Sequence, residues 1–117
     1  YLRTYLGRCP RTHWEAIVMS WKAGNRTSIH AHPQFAGYYF ADGEFQVEIF
    51  EQAGPTALKL ANVVRVNGQE GFAAIGHPGR FDNHIHRITC LSATAHSLHV
   101  YSDDALRGMT FVRNDSE

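Results

Sequence analysis

The stretch GNRTSIHAHP, Gly24 to Pro33, decides how this chain is read. It opens on glycine, runs through strand-forming residues and sets two histidines one residue apart. On a strand, side chains at i and i+2 point to the same face, with their Cα atoms about 7 Å apart. His30 and His32 therefore aim their imidazoles at one spot. Two neutral imidazoles converging on a point are half of a metal site.

The rest of the chain reads as strands and turns. WEAIVMSW (Trp14 to Trp21) is β-branched and aromatic. YYFADGEFQVEIFE joins two such runs through Asp42-Gly43, and NVVRVNGQEGFAAIG carries a second turn signal at Asn67-Gly68. Both turns predict hairpins. Phe45, Val47 and Ile49 alternate with Gln46 and Glu48, the period of a strand with one buried face. HIHRITCLS, HSLHVYS and GMTFV repeat the theme, and the nearest thing to a helix is a short turn near SDDAL. The reading is an all-β sandwich or small barrel without linker, repeat or low-complexity tract.

Composition narrows the partners. A chain of 117 residues makes one domain and buries roughly two thirds of its unfolded surface, enough to need no disulfide staples. Eleven basic and eleven acidic residues cancel, with no run of one sign, so neither nucleic acid nor an acidic membrane has a docking patch. Cys9 and Cys90 lie far apart, without metal-site spacing, and read as small buried hydrophobes in a reducing, cytoplasmic setting. No apolar run approaches membrane-spanning length. The chain begins within a strand and without methionine, so a segment upstream is expected.

Eight histidines are more than so short a chain ordinarily carries. On HIHRITC, His84, His86, Ile88 and Cys90 share a face, and either histidine is placed to supply a third ligand. On SLHVYS, Ser97, His99 and Tyr101 form a polar stripe on a strand expected to bury apolar side chains. Such a stripe costs stability unless partnered, which marks it as functional. His13, His77, His84 and His96 otherwise read as loop or edge residues, and Trp14 and Trp21 as core.

The order of these pieces resembles the cupin superfamily. Gly24, five residues, then His30-x-His32 fits the opening of its first motif, and Gly43 lies near where that motif closes. Cupins of the common kind carry a glutamate ligand four or five residues after the second histidine; here those places hold Ala36 and Gly37. In this the chain is similar to the cysteine dioxygenase family of thiol dioxygenases, a cupin branch that binds iron with three histidines. The likeness runs along most of the chain. YLRTYL looks like the family's opening Tyr-x-Arg strand, His86-Arg87 its third ligand, SLHVYS its Ser-His-Tyr stripe and MTF (109–111) its last strand.

The resemblance implies a single cupin domain over 1–117, a jelly-roll (double-stranded β-helix) barrel lacking the family's N-terminal helical segment, and a monomer. It implies Fe(II) held by His30, His32 and His86, an outer relay of Ser97, His99 and Tyr101, and Arg3 as clamp for a substrate carboxylate, with Tyr1 nearby. The cysteine that animal members cross-link to the tyrosine matches Gly37, as in bacterial members, so Tyr101 is expected to be an ordinary phenol. The implied reaction oxidises L-cysteine with O2 to cysteine sulfinic acid. Members acting on 3-mercaptopropionate have glutamine at the place of Arg3, so arginine favours cysteine. The alternatives are a dioxygenase for another small thiol, 3-mercaptopropionate among them, and a non-catalytic metal- or small-molecule-binding cupin. Sulfur going from thiolate to sulfinate yields the four electrons that O2 takes, so no nucleotide or flavin fingerprint is expected, and the sequence carries none.

Overall fold

Where apolar residues recur every second position, a strand hides one face and leaves the other wet, and this chain repeats that pattern almost throughout. The computed structural model describes residues 1–55 and 57–111. Its strands are β1 Leu2–Arg8, β2 Glu15–Lys22, β3 Ile29–His32, β4 Phe35–Asp42, β5 Glu44–Gln52, β6 Leu58–Asn67, β7 Glu70–Ile75, β8 Asn83–Cys90, β9 Thr94–Tyr101 and β10 Thr110–Phe111. The helical turn expected near SDDAL is a 3-10 turn, Ala105–Arg107, capped by the Asp104 carboxylate, which accepts from the Leu106 N–H. Val112 of the GMTFV run lies outside the described residues.

Two five-stranded antiparallel sheets face each other, ordered β1-β2-β9-β4-β7 and β10-β3-β8-β5-β6. From β2 onward every connection but β5 to β6 crosses between the sheets, which is the winding of a jelly roll. Asp42-Gly43 and Asn67-Gly68 are therefore not hairpin turns. They are corners: β4 pairs with β7 and β9, whereas β5 pairs with β6 and β8. Crossing between the sheets brings the Phe40 and Phe45 rings together across the core, tilted and with centroids 4.5 Å apart, where a hairpin would leave them side by side on one sheet. The two corners also pack together. A Cβ at Gly68 would lie 2.8 Å from Asp42 Cα, and the Gln69 N–H donates to the Phe40 carbonyl at 2.6 Å.

Between the sheets the inward rows of β8 and β9 pass from apolar to polar along the strand, while those of β2 and β4 are apolar but for the Tyr38 hydroxyl. On β2 the row is Trp21, Met19, Ile17; on β4 Phe40, Tyr38, Ala36; on β8 Cys90, Ile88, His86; on β9 Ala95, Ser97, His99, Tyr101. Register aligns these rows, since Ser97 lies opposite Met19 and Phe40, and His99 opposite Ile17 and Tyr38. One end of the barrel is thus closed by Trp21, Phe40, Phe45 and Val47, and the other collects imidazoles and phenols.

Some inside-outside assignments differ from the expectation. Trp14 precedes β2, is 40% exposed and rests against Phe35 instead of entering the core. Cys9 is exposed, while Cys90 is buried. Phe50 is buried outside the barrel interior, in a second cluster with Ile29, Ala31 and Ile85, while Ile49 packs against the main core. Glu48 is buried because Arg87 grips both its oxygens at 2.8 and 2.9 Å and Arg26 adds a third contact.

The Gly43 corner gives a direct check. Its φ is +88°, and a Cβ there would overlap the Ala95 side chain and lie 2.7 Å from Ser92 Oγ. Gly43→Ala should cost about 2–4 kcal/mol, combining left-handed strain with overpacking. Urea denaturation of the two proteins measures it, and a cost below about 1 kcal/mol would contradict this packing.

Candidate metal centre and its cavity

The site begins with a mismatch between β3 and β8. His30 lies opposite His86, but His32 lies opposite Asn83, so two steps along β3 match three along β8. The extra β8 residue is a bulge, and within it His84 takes a left-handed φ of +55°. Through the bulge both rings stay against Tyr38, but only His86 reaches the cluster. His86 enters the barrel fully buried, and the ligand nitrogens of His30, His32 and His86 lie within 4.8 Å of one another. His84 is left half-buried, its ring stacked 4.5 Å from that of His86 and its Nε2 enclosed without a hydrogen-bond partner. It is neither a loop nor an edge residue, and it stands outside the three-nitrogen cluster.

Backbone carbonyls set which nitrogens face inward. His30 Nδ1 donates to Ser28 O at 2.8 Å and His86 Nδ1 to His84 O at 2.7 Å, leaving both Nε2 atoms with bare lone pairs. His32 Nε2 lies 3.4 Å from His86 Nε2. Two imidazoles on one divalent cation, with metal–nitrogen bonds of about 2.1 Å, hold their nitrogens roughly 3.0–3.4 Å apart. Burial holds all three imidazoles below their usual basicity, His32 and His86 far below, and the Arg3 charge adds to this at His30 and His32. At neutral pH they are neutral donors. Three converging lone pairs suit a divalent cation, and the residues fit one.

A second chain of groups runs along β9. Trp21 Nε1 donates to Ser97 Oγ at 2.9 Å, Ser97 Oγ meets His99 Nε2 at 2.6 Å, and His99 Nδ1 meets Tyr101 Oη at 3.0 Å. Burial holds His99 down to about 3 and pushes the Tyr101 phenol up, so a neutral imidazole faces an intact phenol. The Tyr101 ring stacks on His32 at 4.6 Å. Thus the two sets of residues share a wall.

Both sets open on a cavity of about 170 Å³ lined by Tyr1, Arg3, His30, His32, Tyr38 and Tyr101 among others. Arg3 comes from β1 opposite Met19, and Tyr1 packs on Trp21 at 4.9 Å. Among the described residues no carboxylate lines this cavity and none pairs with Arg3. Ala36 faces inward opposite Tyr101, at one of the two places where common cupins carry glutamate; Gly37, the other, faces outward opposite Val100. A Cβ at Gly37 would meet the Phe35 ring, so that position is turned away from Tyr101.

Three groups escaped the sequence reading. Tyr38 places its hydroxyl 3.2 Å from His86 Nε2; the signal was its inward step between Ala36 and Phe40. Trp21, read only as core, anchors Ser97 through its indole N–H. Glu15 is buried and accepts from Arg8 at 3.0 Å and from the Ala105 N–H at 2.7 Å, pinning the 3-10 turn to β2. Nothing local to Glu15 announces a contact ninety residues away.

No family model matches the chain, and no curated protein matches it in sequence. Solved structures do match. A cupin superfamily protein from Desulfitobacterium hafniense superposes with a TM-score of 0.63 at 14% identity, covering 88% of this chain and 77% of that one. The chain has the cupin fold. Two further likenesses carry other names. KdgF from Halomonas sp. aligns over 98% of this chain and 82% of its own, with a TM-score of 0.60 and 16% identity. An oxalate decarboxylase aligns over 87% of this chain with a TM-score of 0.64 and 19% identity, this chain spanning 25% of it. At these identities the neighbours show the cupin fold and no more. No helix among the described residues is long and apolar enough to cross a membrane.

Two measurements check the cluster. His86→Ala should weaken retention of a divalent cation more than about 100-fold, while His84→Ala should change it far less; metal analysis after dialysis against a chelator separates them. In the metal-free protein His99 is held down to about 3 and His84 to about 4, chiefly by burial, against about 6.5 unfolded. Between those values the unfolded chain takes up protons that the folded chain refuses, so stability falls as pH drops from about 6.5. The slope is at most about 1.4 kcal/mol per pH unit for each histidine, and urea titrations between pH 7 and pH 5 read it.

Proposed function

We propose that this cupin is a non-haem Fe(II) thiol dioxygenase that converts L-cysteine and O2 to cysteine sulfinic acid. The observation that supports it is the donor set at one small cavity: a three-histidine cluster with His30 and His32 on the cavity wall and, among the described residues, no lining carboxylate and no acidic partner for the Arg3 guanidinium. Iron(II), when bound, supplies open positions for a thiolate and dioxygen and a double positive charge that neutral imidazoles leave uncompensated. A substrate carrying its own negative charges suits such a site, since it provides what a protein carboxylate provides elsewhere.

Arg3 takes the substrate carboxylate through two parallel N–H donors, which fixes where the sulfur lies. Tyr101 supplies a proton donor. When the Ser97 hydroxyl donates to His99 Nε2, His99 Nδ1–H donates to Tyr101 Oη, and the phenol proton is free for a substrate oxygen. The Trp21 N–H occupies a Ser97 lone pair in either direction of this chain, so the serine stays in place as the protons reverse. Both oxygen atoms of O2 end on sulfur, which gives up four electrons, and no outside reductant is consumed. The cavity, with room for about five or six waters' worth of liquid, suits a small thiol and not a peptide.

The test is oxygen uptake by protein loaded anaerobically with Fe(II), mixed with L-cysteine or 3-mercaptopropionate, with products identified by mass. Uptake matched one to one by cysteine sulfinate supports the reading. Uptake with mercaptopropionate alone keeps the chemistry and overturns the substrate, and none with either thiol, at full iron occupancy, leaves a binding module. Arg3→Gln should lower kcat/KM for cysteine about 10- to 100-fold by removing a charge-assisted pair. Tyr101→Phe should lower kcat about 100-fold with iron content unchanged.

A further inference from the structure

Tyr38 has no part in the reaction just described, yet it stands nearer to the histidine nitrogens than any group assigned a role there. Its hydroxyl lies 3.2 Å from His86 Nε2. Because His86 Nδ1 carries the ring proton to the His84 carbonyl, Nε2 is bare and the phenol O–H donates to it. The lone pair that a cation needs is therefore held by the Tyr38 proton. His32 Nε2 stands 3.4 Å from the same atom, so nitrogen and phenol oxygen flank it at spans that one metal ion bridges.

The ring has nowhere else to go. It is buried, edge-on to His86 at 5.4 Å and to His99 at 5.0 Å, and backed by Phe72 at 5.0 Å. A cation that takes the His86 lone pair removes the hydroxyl's acceptor while leaving its oxygen at the metal, and a buried hydroxyl without a partner costs stability. The place is also short of negative charge. Tyr38 follows the inward Ala36 by one strand period, and Ala36 holds a position where a common cupin has glutamate.

We infer that Tyr38 Oη is the fourth protein donor of the resting, substrate-free metal centre, supplying the anionic oxygen that Ala36 cannot. The inference rests on the three-histidine reading of the site and not on the thiol chemistry. On binding, the O–H bond is exchanged for an oxygen–metal bond, the proton leaves to water in the cavity, and no electron is transferred. Tyr101 is the competing phenol, since its ring stacks on His32 at 4.6 Å and lies edge-on to that of Tyr38 at 6.2 Å.

Ferric iron decides the matter without any substrate, because a phenolate bound to Fe(III) absorbs visible light by charge transfer and an imidazole set does not. Wild type, Tyr38→Phe and Tyr101→Phe are loaded with Fe(III), their iron content measured, and their visible spectra recorded. Tyr38→Phe keeps the ring and its packing, and a thermal melt confirms its fold. The expected result is a charge-transfer band in wild type and Tyr101→Phe that is lost in Tyr38→Phe, whose iron is held about tenfold or more weakly. Iron bound in full without a band, or a band lost in Tyr101→Phe instead, overturns the assignment and leaves the dioxygenase reading standing. A wild-type protein that retains no iron overturns both.

Discussion

The extra residue of β8 opposite β3 is the constraint on which the rest of the site depends. With it, His84 is turned into a left-handed conformation, its carbonyl accepts from His86 Nδ1, and His86 alone presents Nε2 to His30 and His32. A local departure from regular pairing thus sets the tautomer and the aim of a ligand at once. Bulges serve this purpose because they re-aim a side chain without interrupting the sheet around it.

The jelly roll makes such a cluster affordable by dividing its interior along the strands. At the closed end, Trp21, Phe40, Phe45 and Val47 exclude water and supply the apolar burial that stabilises the fold. At the other end the inward positions of the same strands carry Tyr38, His86, His99 and Tyr101. Their polar atoms are joined in hydrogen-bonded chains, the condition under which buried polar groups cost little. Trp21 ties the two regions together, its ring in the apolar end and its N–H holding Ser97.

Charge completes the picture. The cavity presents neutral imidazoles, neutral phenols and one guanidinium, and among the described residues no carboxylate. Such a wall favours an anionic ligand, and a cation held by the histidines strengthens that preference. The same imbalance gives Tyr38 its significance, as a protein oxygen 3.2 Å from His86 Nε2 beside a position where common cupins carry an acidic residue.

Much of this was written in the chain itself. Alternation of apolar residues determines strands because it depends only on neighbours along the chain, and the His-x-His spacing brought two imidazoles to one face for the same reason. The Ser97, His99 and Tyr101 stripe followed from the period of two, and each of these side chains is buried. What tertiary structure alone decided involves partners distant in sequence. Asp42-Gly43 and Asn67-Gly68 became corners because burying Phe40 against Phe45 outweighs the local preference for a hairpin. That His86 and not His84 reaches the cluster was set by a register mismatch that no spacing encodes. Tyr38 came to His86, and Glu15 to Ala105, because sheet order, not sequence order, sets which inward rows meet.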